Sequence, residues 1–256
     1  MTARTIRLGE REVTRIGLGT NRLEHTPANV ELVCAAVAAG IDHIDSAYLY
    51  TGGDSETTIG EALGPDPDGV VVATKGGFVP GTGNPEVLRE LIEESLRRLG
   101  ADSIELYYLH RVDPETPLED SLALLAEYRE RGVLRHIGLS EVSVDQIERA
   151  RRIVPITAVQ NRYNLGDRGW DDVVDHCGRE GIVFVPFHPL KGEVGDAHAE
   201  IAERHGATPE QVALAWLLRR SPTMLPIPGS LSLEHVQENL AALELELGAE
   251  DLDALG

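Results

Sequence analysis

Cysteine is almost missing from this 256-residue sequence: Cys34 and Cys177 are the only two, far apart and outside any C-x-x-C spacing. That excludes a disulfide framework and a thiolate zinc site. Lysine is as scarce, with Lys75 and Lys191 alone among many arginines. Basic residues as a class fall short, since 23 Lys+Arg face 43 Asp+Glu for a formal charge of −20. A field of that sign repels phosphate backbones and anionic bilayers, so neither nucleic acid nor a membrane is an expected partner. No apolar run approaches the roughly 18 residues of a membrane helix, and the N-terminal MTARTIRLGEREVTRIGLG lacks the apolar core of a secretion signal. A cytoplasmic protein with no obligate protein partner is the expectation. A P-loop is absent too. The nearest approach to G-x-G-x-x-G is Gly17-Leu-Gly-Thr-Asn-Arg22, which lacks the third glycine and opens no helix before Thr26. A nucleotide, if bound, is bound by another route.

What is present is a repeat of pattern. Hydrophobic residues at 42% and charged residues at 26% suit an ordinary globular chain, about the size of one (β/α)₈ barrel in a single domain over 1–256. Short β-branched runs alternate with amphipathic helices. The predicted strands are Arg15–Gly19, His43–Asp45, Val70–Thr74, Ser103–Leu109, His136–Ser140, Ala158–Gln160, Ile182–Phe187 and Met224–Ile227. Thr116-Pro-Leu-Glu119, Thr208-Pro-Glu-Gln211 and Ser143-Val-Asp-Gln146 read as capping boxes, the first two with proline at the first helical position. Gly40, Gly100, Gly132, Gly181 and Gly206 each follow a helical run, where a left-handed cap is favoured. Thr5–Leu8 and Glu12–Thr14 around Gly9 suggest a leading β-hairpin. The expectation is an α/β fold, a (β/α)₈ TIM barrel of eight parallel strands with an N-terminal β-hairpin. An open doubly wound sheet shares the same local pattern.

In such a barrel the carboxyl ends of the strands converge on one mouth. The second strand ends at Asp45, with Tyr48 and Tyr50 just beyond; the third ends at Lys75 and the fourth at His110. An acid, two phenols, an ammonium and an imidazole therefore meet from consecutive strands. A phenol is a poor acid at neutral pH, and a neighbouring ammonium favours its phenolate. A carboxylate would hold the lysine charged and oriented, and the imidazole could orient a carbonyl or relay its proton. Spacing alone does not choose between Tyr48 and Tyr50. Lys75 as a Schiff-base nucleophile of a lyase or aldolase is the alternative chemistry.

The segments Asp45-Ser-Ala-Tyr-Leu-Tyr50, Ala73-Thr-Lys75, Leu109-His110, Gly138-Leu-Ser140, Gln160-Asn-Arg-Tyr-Asn164 and Pro226-Ile-Pro-Gly-Ser230 resemble the aldo-keto reductases, in register from about Gly17 to Asn239. The resemblance implies a (β/α)₈ barrel that binds NADPH (NADP⁺) in extended form at the mouth and reduces a small-molecule carbonyl, with no metal. It implies Tyr50 as proton donor, with Asp45, Lys75 and His110 completing a catalytic tetrad. It further implies that Ser140 and Gln160 bind the nicotinamide carboxamide and that Phe187 stacks on its ring. Pro189, Leu190 and Gly192 would pass the pyrophosphate, and Thr20 and Asn21 would also bind the cofactor. Ile227, Gly229, Ser230, His235, Glu238 and Asn239 would surround the adenosine and its 2′-phosphate. A regulatory subunit that binds NADP without catalysis would keep the same cofactor residues.

Three departures from the family pattern matter. Glu141 stands where asparagine commonly follows Ser140. Gly229 and His235 stand where many members carry a basic residue, so NADH remains usable, and Lys191 is a candidate replacement cation. The loop from Phe187 to the helix near Asp196 is short, and little chain follows the last helix. An open mouth suited to a bulky carbonyl substrate is expected.

Overall fold

The computed structural model describes residues 3–192 and 196–256. Elements are numbered here in chain order. The strands are β1 (Thr5–Leu8), β2 (Arg11–Thr14), β3 (Leu18–Gly19), β4 (His43–Asp45), β5 (Val71–Gly76), β6 (Ile104–Leu109), β7 (Leu134–Ser140), β8 (Ile156–Gln160) and β9 (Val183–Phe184). The helices are α1 (Pro27–Ala38), α2 (Asp54–Leu63), α3 (Pro85–Leu99), α4 (Leu118–Glu130), α5 (Val144–Arg151), α6 (Asp171–Glu180), α7 (Asp196–His205), α8 (Pro209–Arg220), α9 (Leu233–Ala241) and α10 (Ala249–Leu255). β3 to β9 pair in sequence order as one parallel curled sheet, and β1 with β2 forms a separate antiparallel pair. Among the described residues no helix is long and apolar enough to cross a membrane.

The period of two along each strand sorts the side chains. Val71, Ala73, Leu106, Tyr108, Ala158, Val183 and Val185 form one cluster inside the curl, with Leu8 and Val13 of the antiparallel pair packed against it. The larger cluster, with Ile44, Tyr107, Ile137 and Val159, lies between the sheet and the helices. The same alternation continues past these apolar residues. It carries Lys75, His110 and Gln160 to the carboxyl ends of the strands on the inner face, two positions after Ala73, Tyr108 and Ala158.

One predicted strand is not formed. Met224–Ile227 makes only an isolated bridge, Phe184 to Met224, although a second bridge joins Gly19 to Gly229. The segment still bonds both edges of the sheet. Phe184 N–H donates to Thr223 (2.9 Å) and Leu225 N–H to Phe184 (2.9 Å) on one side; Gly17 N–H donates to Pro226 (3.0 Å) and Gly19 N–H to Pro228 (3.2 Å) on the other. The prolines explain the irregularity. A parallel ladder needs amides at positions 226 and 228 to donate back to β3, and proline has none. Half of the ladder is therefore missing, which also keeps β3 to two residues rather than the predicted Arg15–Gly19. Pro186 interrupts the predicted Ile182–Phe187 strand in the same way, leaving β9 as Val183–Phe184.

The caps divide similarly. Ser143 and Thr208 form the predicted capping boxes with Gln146 and Gln211. The box at Thr116 does not form: α4 begins after Pro117 with no side-chain cap. The Thr116 hydroxyl donates instead to Asp113 (3.0 Å), a buried carboxylate that also accepts the Gly81, Gly83 and Glu115 amides. The five glycines predicted to end helices all have positive φ.

Arg15 reinforces the half-made seam. It is almost fully buried, and its guanidinium donates to the carbonyls of Met224 (3.1 Å), Leu218 (3.0 Å) and Ser221 (2.7 Å). Burial pulls its pKa down to about 10, so it stays charged at neutral pH, facing the negative end of α8. Arg15→Met should leave those carbonyls unpaired and cost roughly 2–4 kcal/mol of stability. Urea midpoints would check this; a midpoint equal to that of the unaltered protein would mean that the seam holds without the guanidinium.

Candidate active site

Lys75 fixes the geometry. Its side chain is completely buried, and its Nζ donates to Asp45 Oδ1 (2.5 Å), to the Ser46 carbonyl (2.6 Å) and to the Tyr50 hydroxyl (3.4 Å). Burial works to lower the lysine's pKa, but Asp45 and Tyr50 together outweigh it and leave it above its ordinary value. The ammonium is therefore charged. Asp45 Oδ2 is taken by Gln160 Nε2 at 2.8 Å, so the carboxylate is gripped from β5 and β8 at once.

The structure separates the two tyrosines. Tyr48 lays its ring under the Arg98 guanidinium, 4.4 Å from the ring centre, and its carbonyl accepts from Arg98 (2.8 Å). Arg98 also bonds Glu56, a fully buried carboxylate that accepts from Thr74 (2.5 Å). Tyr48 thus anchors the loop from outside, while Tyr50 turns inward with its ring edge-on to His110, centroids 6.2 Å apart. His110 is nearly buried, its Nδ1 has no partner among the described residues, and Phe78 packs on its ring at 4.8 Å. Burial first, then the charges of Lys75 and Arg111, push its pKa down to about 2. The imidazole is neutral.

Beside this cluster opens a cleft of about 390 Å³. Thr20, Asn21, Asp45, Tyr50, Phe187, Pro189, Ile227 and Gly229 line it. Leu190, Lys191 and Gly192 line an adjoining cleft that shares Pro189. Ser140 sits at the end of β7, nearly buried, and accepts from Arg111 Nη1 at 3.0 Å. The hydroxyl of Thr20 is already bonded to the Asp45 carbonyl (2.8 Å) and that of Ser230 to the Ser232 carbonyl (2.9 Å). His235, Glu238 and Asn239 lie on α9 and do not line either cleft. A further cleft, of about 470 Å³, opens at the amino ends of β5 to β7 beside Val70, Ile104 and Arg135, away from Lys75.

Among the described residues three non-glycine residues have left-handed backbone: Thr51 (φ 48°), Glu141 (φ 56°) and His188 (φ 53°). Each immediately follows a site residue, Tyr50, Ser140 or Phe187. Such conformations cost about 1 kcal/mol or more each and turn the chain sharply away from the strand end. Glu141 offsets part of its cost by accepting the Arg162 amide at 2.7 Å. Sequence reasoning missed Arg98, Glu56, Phe78 and Arg111. Arg111 carries a signal in the sequence, because it follows His110 just past the end of β6.

Residues 15–197 and 191–256 match the model of the aldo/keto reductase family. An uncharacterised oxidoreductase of Schizosaccharomyces pombe is 37% identical, with 97% of this chain and 87% of that protein covered. Pyridoxine 4-dehydrogenase of Escherichia coli is 36% identical over all of this chain and 98% of its own. Among solved structures, a thermostable aldo-keto reductase in complex with epalrestat superposes with a TM-score of 0.90 at 32% identity, 98% of each chain being covered. An aldo-keto reductase of Klebsiella pneumoniae in complex with NADPH gives 0.89 at 29%, covering all of this chain and 94% of its own.

The neutral His110 makes stability depend on pH. Unfolded, the imidazole binds a proton below about pH 6.5; folded, it does not. Below that pH the unfolded chain holds more protons, so stability falls as pH falls, by about 2 kcal/mol between pH 6.5 and 5 for this one group. Urea unfolding at pH 7.5 and pH 5 should show a smaller acid loss in His110→Gln than in the unaltered protein. Identical losses would contradict a neutral buried imidazole.

Proposed function

The chain belongs to the aldo/keto reductase family, and from that premise we propose that it is an NADPH-preferring carbonyl reductase with Tyr50 as its proton donor. The curled sheet and the segment 223–229 that joins its edges are read as one (β/α)₈ barrel with a single mouth. The observation that carries the proposal is the buried Asp45–Lys75 pair leading to a partly exposed Tyr50 hydroxyl beside a neutral His110.

The site suits a nicotinamide. A primary carboxamide needs a donor for its oxygen and an acceptor for its N–H. Arg111 can only donate, so Ser140 accepts from it and keeps its own proton to give. Gln160 spends its amide on Asp45, which can only accept, and keeps its carbonyl oxygen free. Ser140 and Gln160 thus present one donor and one acceptor, and the Phe187 ring offers a stacking face. Thr20, Asn21, Pro189, Leu190, Gly192, Ile227 and Gly229 are assigned to the extended dinucleotide, and Ser230, His235, Glu238 and Asn239 to its adenosine end. The preference for the 2′-phosphate rests on Ser230, protonated His235 and Lys191, and NADH is expected to serve less well.

When bound, the reduced nicotinamide supplies a hydride to the carbonyl carbon. Tyr50 gives its proton to the carbonyl oxygen. Lys75, held charged by Asp45, stabilises the phenolate that remains until solvent returns a proton. Neutral His110 donates a hydrogen bond that orients the carbonyl. A lyase using Lys75 fits less well, because a nucleophilic lysine must be uncharged and reachable, and this one is charged and buried. Exposed Phe78, Val79 and Leu49 flank an open mouth and favour bulky, partly apolar carbonyl compounds. Pyridoxal, the aldehyde matching the Escherichia coli relative's name, belongs in the first substrate panel.

Tyr50→Phe should lower kcat for an aldehyde by about 10² or more. Its NADPH dissociation constant, read by quenching of Trp170 and Trp216 fluorescence, should change less than about threefold. Retention of most of the turnover would remove Tyr50 from the role of donor. Loss of NADPH binding in both proteins would remove the cofactor assignment.

A further inference from the structure

Arg111 is a half-buried cation at the mouth with work left undone. Nη1 makes both of its hydrogen bonds, to the His110 carbonyl (2.6 Å) and Ser140 Oγ (3.0 Å). Among the described residues, Nε and Nη2 donate to no protein group and no carboxylate lies within ion-pair distance of the guanidinium. Glu141, whose charge acts on Arg111, accepts instead from the Arg162 amide. Arg15 also lacks a carboxylate, but its nitrogens all donate to backbone carbonyls, whereas two of the nitrogens of Arg111 have no acceptor among the described residues.

Its surroundings define what it could hold. The guanidinium carbon lies 5.1 Å from the centre of the Phe78 ring and 5.9 Å from that of Phe187. Phe78 in turn packs on His110. One aromatic ring, Phe78, therefore contacts both the cation and the imidazole that faces the carbonyl, and Phe187 adds a second ring near the cation. A guanidinium edge with two parallel donors matches a carboxylate bidentately, and partial burial strengthens the pair.

We propose that Arg111 selects the substrate, favouring carbonyl compounds that carry a carboxylate about one ring's width from the reacting carbon. The inference rests on the reductase reading above for the position of the carbonyl. Nη1 keeps Ser140 in place while the free edge takes the anion. The net negative charge of the protein then makes this recognition a short-range one, exerted after encounter rather than by long-range attraction.

The test compares 4-formylbenzoate with its methyl ester, two aldehydes of nearly equal shape. In Arg111→Met the ratio of kcat/KM for acid over ester should fall at least tenfold from that of the unaltered enzyme, through KM of the acid. Arg111→Lys should fall between them. If Arg111 only braces Ser140, both aldehydes lose equally and the ratio stays fixed, which overturns the proposal. Calorimetric titration of benzoate and benzamide into protein saturated with NADP⁺ gives a readout that needs no turnover. Benzoate should bind at least tenfold more weakly to Arg111→Met, and benzamide should show no such dependence. Equal benzoate affinity would overturn the proposal. An enzyme that binds benzoate through Arg111 and reduces neither aldehyde would overturn the reductase reading alone.

Discussion

A fully buried ammonium organises this protein. Lys75 has no water to solvate it, so its charge must be met by groups that the fold brings within reach. Asp45 from β4, the Ser46 carbonyl and the Tyr50 hydroxyl supply that, and Gln160 from β8 pins the carboxylate's second oxygen. Three stretches distant in sequence, at 45–50, 75 and 160, are thereby held in one arrangement by a single unmet need. The arrangement places the Tyr50 hydroxyl beside a permanent positive charge. The same bonds that make Lys75 tolerable in the interior hold that hydroxyl where the proposed reaction would use it.

A second layer backs the first. Arg98, reaching in from α3, takes the Tyr48 carbonyl and the buried Glu56, and Glu56 receives the hydroxyl of Thr74 next to Lys75. Gly53 must be glycine here for two reasons. Its φ is 106°, and a Cβ would come within 2.4 Å of the Arg98 guanidinium. The turn that aims Tyr50 is thus fixed by a hydrogen-bonded guanidinium on one side and by left-handed backbone at Thr51 on the other.

Much of this was legible from residue order. The period of two carries Lys75, His110 and Gln160 to one face, and helix stops at Gly100 and Gly181 follow from their left-handed backbone. Other features depend on contacts that no local pattern reports. Tyr48 and Tyr50 differ only in which neighbour, Arg98 or Lys75, each one meets. Thr116 has the local signature of a cap, yet its hydroxyl is taken by Asp113, whose carboxylate gathers a loop from β5. The eighth predicted strand has the apolar residues of a strand, but Pro226 and Pro228 remove the amides that would have completed it. Arg111 gives no local sign that its guanidinium bonds Ser140, 29 positions away.

The half-made seam has a consequence for motion. Between β3 and residues 224–229 the hydrogen bonds run one way only, from Gly17 and Gly19 to the two proline carbonyls, with Arg15 as the fastening at the lower end. A ladder with alternate rungs removed resists shear poorly while still resisting separation. The upper end of this seam is Gly19 and Gly229, both on the wall of the cleft beside Tyr50. Sliding between strands meets least resistance here, on the wall of the cleft, and most in the fully laddered strands β5 to β8 that carry Lys75 and Gln160.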